Sequence, residues 1–453
     1  MLKQLVMATL LAVSAIAQAD LSQSVKFYQE KNYSQARAEF AHLASLGNAG
    51  AAFNLGVMAL YGEEETKDPV RAYAYFLFAH QLRHVKAADV LQQLSTTVTE
   101  SQQQQAQRMS VQLLQHSIPV YSANEPAPAH QEVFRTTLRR DHPKYPVEAA
   151  KNGISGFALA KLVVDQQGNV VYVNTQYGLP DLTFAKATEI ALRRWKYSPS
   201  PVISIHTVRM EFSLDPVNPQ SAERLKLRNT QIQLLHQQAW PGALAGSAKQ
   251  QLFLAGLLDY LQNQSRTYAL MNQPISTPPT LADLSHAIDE GKSHTMPAFM
   301  GEAFLVVDAT QQLQSVQPIS GTVPLRAGES MAGLAQGVYK ITPRDLNYDK
   351  SAPVVYATEQ MHIEPMLTAP MEWTSNYWLD QAARNGDLTA QRARAVHQPY
   401  WAHYLQQQHD PEALGWFAIE LLSQNKVHEA KAAFEKAKKA GFRSSSNLDE
   451  LFD

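Results

Sequence analysis

The sequence predicts an α+β multidomain protein: a two-layer α/β domain between helical-repeat segments of α-solenoid type, plus a small β-rich region. Three observations predict it. Small and apolar residues recur at a 36-residue spacing near the N-terminus, Lys144 to Leu214 alternates extended runs with one helical stripe, and Ala298 to Pro365 reads as strands. With 45% hydrophobic residues, 18% charged residues and a formal charge of -2, the composition is globular and lends no support to nucleic-acid binding. At roughly 100 to 200 residues per domain, two to four domains are expected, and the pattern supports four.

The first element, MLKQLVMATLLAVSAIAQAD, has one lysine, an apolar stretch from Leu5 to Ile16, and Ala17-Gln18-Ala19 before Asp20. It reads as a cleavable secretory signal over 1–19. The apolar stretch is shorter than the roughly 20 residues of a membrane-spanning helix, and no later segment approaches that length, so no transmembrane segment is expected in the mature chain. Loss of Lys3 takes the charge from -2 to -3. With no cysteine there is neither a lipid-modified N-terminal cysteine nor a disulfide, which fits a Gram-negative periplasm, peripheral membrane association being the other option.

Over 20–95, Ala36, Phe40, Leu46 and Ala51-Ala52 return as Ala72, Phe76, Leu82 and Ala87-Ala88, implying helix pairs with small residues at their crossings. Over 96–135 follow a glutamine-rich polar helix and the proline-containing linker SIPVYSANEPAPAH.

The α/β domain is expected over 136–215. Phe157 to Val164 is a β-branched and apolar strand, Asp165 to Asn169 supplies a tight turn, and Val170 to Tyr177 is the return strand. Asp181 starts a helix whose stripe is Phe184, Ala187, Ala191, Leu192 and Trp195. Pro199 and Pro201 end it. Val208, Met210, Phe212 and Leu214 then alternate with Thr207, Arg209, Glu211 and Ser213, the period of a half-buried strand.

Beyond it, 216–292 reads as helical, with KQQLFLAGLLDYLQN as a repeat-like helix, and 293–370 as a small antiparallel sheet or sandwich. EAFLVVDATQQLQSV loosely echoes LAKLVVDQQGNVVYV, although nothing after it matches the arginine-tryptophan helix. The last segment, 371–453, returns to helical repeats: Ala430, Phe434, Ala437 and Gly441 repeat the pattern of Ala36, Phe40, Leu43 and Gly47, and Tyr377 to Gln391 reads as a second helix of such a repeat.

The order Tyr145-Pro146, Ala149, Gly153 and Gly156, Asp165 to Gly168, and Arg193-Arg194-Trp195-Lys196-Tyr197-Ser198-Pro199 resembles the C-terminal domain of TonB. Tyr145, Pro146, Gly156, Gly168, Trp195 and Pro199 carry that motif. The N-terminal helices resemble the Sel-one-like branch of tetratricopeptide-type repeats, through Gly56, Tyr61, Asp68 and Ala72. The TonB resemblance implies a sheet edge to which a short peptide of an outer-membrane receptor adds as a strand. That role falls on Thr207, Val208, Arg209, Met210, Glu211, Phe212 and Ser213, with Arg139, Arg140 and Tyr145 of the approach segment second. Arg193 and Arg194 either cap a helix C-terminus with solvated charge or contact an acidic partner. The alternative is an edge covered by the protein's own repeats. Trp195 is expected to plug the core. A TonB that transduces energy also keeps a membrane helix and a long proline-rich spacer, and this sequence shows only a short EPAP stretch.

Catalytic patterns fail. Gly328-Glu329-Ser330-Met331-Ala332-Gly333 misses the nucleophile-elbow spacing by one residue. His80 and His84 fall at i and i+4 as half a metal site, without the glutamate of the zincin motif. Polar repeat surface is the plainer reading. No phosphate loop occurs, and no cofactor or metal is expected. The sequence therefore reads as a non-enzymatic periplasmic adaptor with protein partners, either a β-barrel receptor's N-terminal peptide or TonB-system components. A cell-wall or assembly scaffold is the alternative, and an enzyme acting through the Ala298 to Pro365 sheet the third reading.

Overall fold

The computed structural model describes residues 19–119, 135–213, 230–262, 267–270, 277–280, 283, 292–295, 301–321, 323–343 and 360–452. Residues 1–18 of the expected signal and 120–134 of the expected linker lie outside them. The protein is an α+β multidomain fold. It divides into two units, the first built from 1–120, 242–249 and 381–388 and the second from the remainder. Among the described residues, no helix is long and apolar enough to cross a membrane.

The first unit carries α1 (Leu21–Gln29), α2 (Tyr33–Ser45), α3 (Ala49–Tyr61), α4 (Pro69–Gln81), α5 (Ala87–Leu94) and α6 (Glu100–Gln115). Asp20, Asn48, Asp68 and Thr99 each accept from a first-turn N–H, satisfying a donor the helix cannot. Of the positions that recur at 36 residues, Ala36, Phe40, Leu46, Ala51, Ala52, Ala72 and Ala87 are fully buried, and Phe76 and Leu82 nearly so, while Ala88 is exposed. The glutamine-rich helix α6 packs on α4, burying Ala106 and Ser110. α4 stops at Gln81 and Arg83 turns with φ 68°, so His84 leaves the helix that holds His80 and stacks on Phe53. The two histidines therefore do not share a helical face, and no metal-holding cluster occurs among the described residues.

The second unit holds a three-stranded antiparallel sheet of order β3-β2-β5, from β2 (Gly156–Val164), β3 (Val170–Leu179) and β5 (Ser204–Phe212). Around it lie β1 (Thr137–Arg139), paired with β4 (Lys196–Tyr197), and the helices α7 (Val147–Lys151) and α8 (Ala185–Leu192). α9 (Trp240–Leu244) precedes α10 (Ala248–Gln262). A short parallel pair joins β6 (Thr267–Leu270), within the segment expected to be helical, to β12 (Leu367–Pro370). A five-stranded antiparallel sheet has the order β7-β11-β10-β8-β9, from β7 (Lys292–Thr295), β8 (Gly301–Val307), β9 (Leu313–Gly321), β10 (Gly337–Pro343) and β11 (Gln360–Pro365).

The C-terminal helices are α11 (Ser375–Arg384), α12 (Leu388–Ala395), α13 (Pro399–Gln407), α14 (Pro411–Ser423), α15 (Val427–Ala440) and the short α16 (Ser446–Asp449). The helix expected over Tyr377 to Gln391 is two helices, divided at Gly386, where φ is 85°.

Candidate functional site

The β2–β3 hairpin turns on Asp165, whose carboxylate accepts the Asn169 N–H at 2.7 Å while its own N–H donates to the Asn169 carbonyl at 2.9 Å. Gly168 has φ 85°, and a Cβ there would lie 2.0 Å from the Tyr197 carbonyl oxygen. Gly156 is crowded in the same way, 2.1 Å from the Leu179 carbonyl oxygen. Both glycines are demanded by close backbone approach.

Register assigns the faces. Ala160, Leu162, Val164, Val170, Val173 and Val208 share a core with Leu192 and Tyr197 under α8. On the opposite face Val163, Val171, Tyr172 and Ile205 pack into α14 and α15, through Trp416, Ile419 and Phe434, and onto Phe442 just beyond α15. Further along that face Arg209 pairs with Asp259 of α10 and lies 3.7 Å from the Phe157 ring centroid. Both faces of the sheet are thus covered by the protein's own helices, leaving its edges.

The two edges differ. On β3 the Ser445 hydroxyl donates to the Val171 carbonyl at 2.6 Å, and Glu189 accepts the Thr175 N–H at 3.3 Å. Side chains blunt that edge. Among the described residues, no strand and no side chain takes the outer N–H and C=O groups of β5. Which groups those are follows from alternation. Val171 and Thr175 point away from β2, so Tyr172 and Asn174 bond to Val163 and Lys161, and Ala160 and Leu162 face β5. Their partners Val208 and His206 therefore point inward, and the backbones of Ile205, Thr207, Arg209 and Glu211 point out.

The side chains expected to bind a partner fall into two groups. Thr207 and Glu211 are exposed and Ser213 half-buried. Phe212 is 3% exposed, stacked on Phe184 and edge-on to Tyr145. Tyr145 donates its hydroxyl to the Ile154 carbonyl, and Val208 and Met210 pack into the core. Arg209 is committed to Asp259. These residues serve the fold with their side chains and leave only backbone at the edge.

At the approach segment Arg139 donates to the Arg194 carbonyl and pairs with Asp141, and Arg193 pairs with Glu189. α8 ends at Leu192, so Trp195 follows the helix rather than completing its stripe. It is half-buried, donating Nε1–H to the Asp141 carbonyl at 2.9 Å with Arg140 over its ring. It packs against the core of Leu192 and Tyr197 as expected, half-buried at its margin, and also clasps the approach segment. Pro199 lies exposed beyond β4, and Pro146 precedes α7.

The expected site residues left out Lys161, at 7% exposure on β2. Its ammonium lies 3.4 Å from Glu420 and over Trp416, and burial pushes its pKa below the ordinary lysine value against the pull of Glu420. Burial likewise raises Asp259, with Arg209 opposing. The signal for both was a lone charge within an apolar run, FALAKLVV and LAGLLDYL. His206, stacked on Tyr197 at 5.0 Å, is lowered to about 4 by burial and by Arg135.

Residues 141–214 match the family described as Gram-negative bacterial TonB protein C-terminal. Among solved structures, the chain is similar to the solution NMR structure of the TonB C-terminal domain of Pseudomonas aeruginosa. The identity is 20%, covering 20% of this chain and 98% of that one, with a TM-score of 0.18. No curated protein matches the chain.

Proposed function

Taking 141–214 as a domain of the TonB C-terminal type, we propose that the protein is a periplasmic, non-catalytic adaptor accessory to TonB-dependent transport across the outer membrane. It captures an extended peptide on the outer edge of β5. The carrying observation is that both faces and the β3 edge are engaged by the protein itself, while the outward backbones of Thr207, Arg209 and Glu211 have no partner among the described residues. Strand addition satisfies such groups through main-chain hydrogen bonds and needs few side chains from the acceptor. The N-terminal peptide of a β-barrel receptor is the expected ligand, and TonB-system components are the further expected partners. Delivery to the periplasm rests on the signal pattern of 1–19.

The test is Thr207→Pro. Thr207 is exposed and its N–H faces outward, so proline deletes a donor from the edge without cutting the ladder to β2. Titration of receptor peptides by calorimetry should show affinity about tenfold weaker or lost. Equal affinities would refute edge capture. No binding by the unsubstituted protein would favour the scaffold reading.

A further inference from the structure

The five-stranded sheet repeats the three-stranded one. Seven consecutive residue pairs of the β8–β9 hairpin, Gly301↔Gly321 through Val307↔Leu313, coincide with those of β2–β3, Ala158↔Gly178 through Val164↔Val170, at one displacement of 143 positions. The irregularities coincide as well, between Leu159/Ala160 and Val163/Val164 in one hairpin and Glu302/Ala303 and Val306/Val307 in the other. The same five positions form the core: Ala160, Leu162, Val164, Val170 and Val173 match Ala303, Leu305, Val307, Leu313 and Val316. Asp308 builds the turn as Asp165 does, accepting the Gln312 N–H and donating to the Gln312 carbonyl.

The match continues past the hairpin. Asn169 bridges to Lys196, and the Tyr197 N–H donates to the Gly168 carbonyl at 2.8 Å. Gln312 bridges to Ser330, and the Met331 N–H donates to the Gln311 carbonyl at 2.7 Å. Tyr197 and Met331 then enter the two cores. The third strand follows, β5 beside β2 and β10 beside β8, each antiparallel. What differs is the helix: among the described residues between Gly321 and Ser330, α8 has no counterpart.

The edges differ too. Among the described residues no strand lies on the outer side of β5, whereas that of β10 is filled by β11 in antiparallel register from Tyr339↔Pro365 to Pro343↔Met361. Met361 is fully buried and Ile363 is 1% exposed, both in the core with Ile341. We infer that residues 301–343 are a second sheet of the same construction, and that β11 is a strand ligand held in cis on the edge equivalent to β5. The recognition chemistry is an extended segment with apolar residues two apart, Met361 and Ile363, whose backbone completes the ladder. The β-rich region is thereby a strand acceptor whose β10 edge is filled by its own chain, whereas the matching β5 edge of the first sheet has no strand beside it among the described residues. The inference stands on the pairing alone and holds whether or not β5 binds a receptor.

The probe is a synthetic peptide of residues 360–366, QMHIEPM, with a control carrying aspartate at the Met361 and Ile363 positions. In the full-length Ile363→Ala protein, hydrogen exchange of the β10 amides from Val338 to Thr342 should quicken about tenfold or more while Gly156–Val164 stays protected. Excess peptide should restore the protection, and the aspartate control should not. If Ile363→Ala loosens both sheets together, Ile363→Val carries the same comparison. Unchanged exchange in β10, or quickened exchange that the peptide fails to reverse, would overturn the inference.

Discussion

Arg209→Ala is expected to act on stability. The guanidinium pairs with Asp259, lies over Phe157 and reaches Glu211 at 3.2 Å. Removing one partner of a buried pair costs about 3 to 5 kcal/mol, because the other charge is left without compensation. The side chains here retain 26% and 15% of their exposure, which admits some water, so about 2 to 3 kcal/mol is expected. At about 2 to 4 °C per kcal/mol for a unit of this size, the melting temperature should fall by roughly 5 to 10 °C.

The sign of the pH dependence separates this account from simple loss of packing. Burial already raises Asp259, and without Arg209 its folded pKa rises further above the unfolded value. The folded state then holds more protons than the unfolded one above the ordinary carboxylate range, so the variant loses stability as pH rises through that window. Calorimetric scans from pH 4 to 8 should show the deficit growing with pH, and Arg209→Met with Asp259→Leu should recover most of it. A deficit below about 1 kcal/mol, or one flat with pH, would refute the reasoning.

Trp195→Ala should cost about 2 kcal/mol by chemical denaturation, below the 3 to 5 of a fully buried tryptophan, because the indole is half-buried, losing part of its packing against the core together with its bond to Asp141. Gly168→Ala should cost about 3 kcal/mol or more, since φ is 85° and the new Cβ would meet the Tyr197 carbonyl at 2.0 Å. A loss below 1 kcal/mol would mean that the turn relaxes. His206, lowered to about 4, stays neutral when folded while the unfolded ring protonates near 6.5, so stability should fall as pH drops from 6.5 toward 4. Allowing for the ring's partial exposure, about 1 to 2 kcal/mol is at stake; His206→Phe should flatten that part of the slope, and an unchanged slope would count against the assignment.

The hairpin, its turn and the third strand were legible because their signals are local. The apolar run from Phe157 to Val164 states a buried strand, period-2 alternation from Thr207 to Phe212 states which side chains share a face, and Asp165 with Gly168 states where the strand reverses. Helix starts at Asp20, Asn48 and Asp68 rest on an equally local contact, a side chain accepting from an N–H three residues on, though no periodic pattern singled them out. The end of α8 was not. Periodicity carries the apolar stripe on to Trp195, while the chain leaves the helix at Arg193 so that β4 can join β1 and Trp195 can reach Asp141.

The candidate site divides along the same line. The sequence by itself determined that Ser204 to Phe212 is a half-buried strand next to a glycine-limited hairpin, because a two-residue period and a left-handed turn are properties of adjacent residues. Only the tertiary structure decided that Arg209 belongs to Asp259 fifty positions away, that α14 and α15 cover one face, and that Ser445 and Glu189 occupy the β3 edge while no described residue occupies that of β5. It alone decided that the apolar run of Met361 and Ile363 closes the second sheet at the place the first leaves free. Pairing between distant segments depends on which surfaces meet, and no local spacing encodes that.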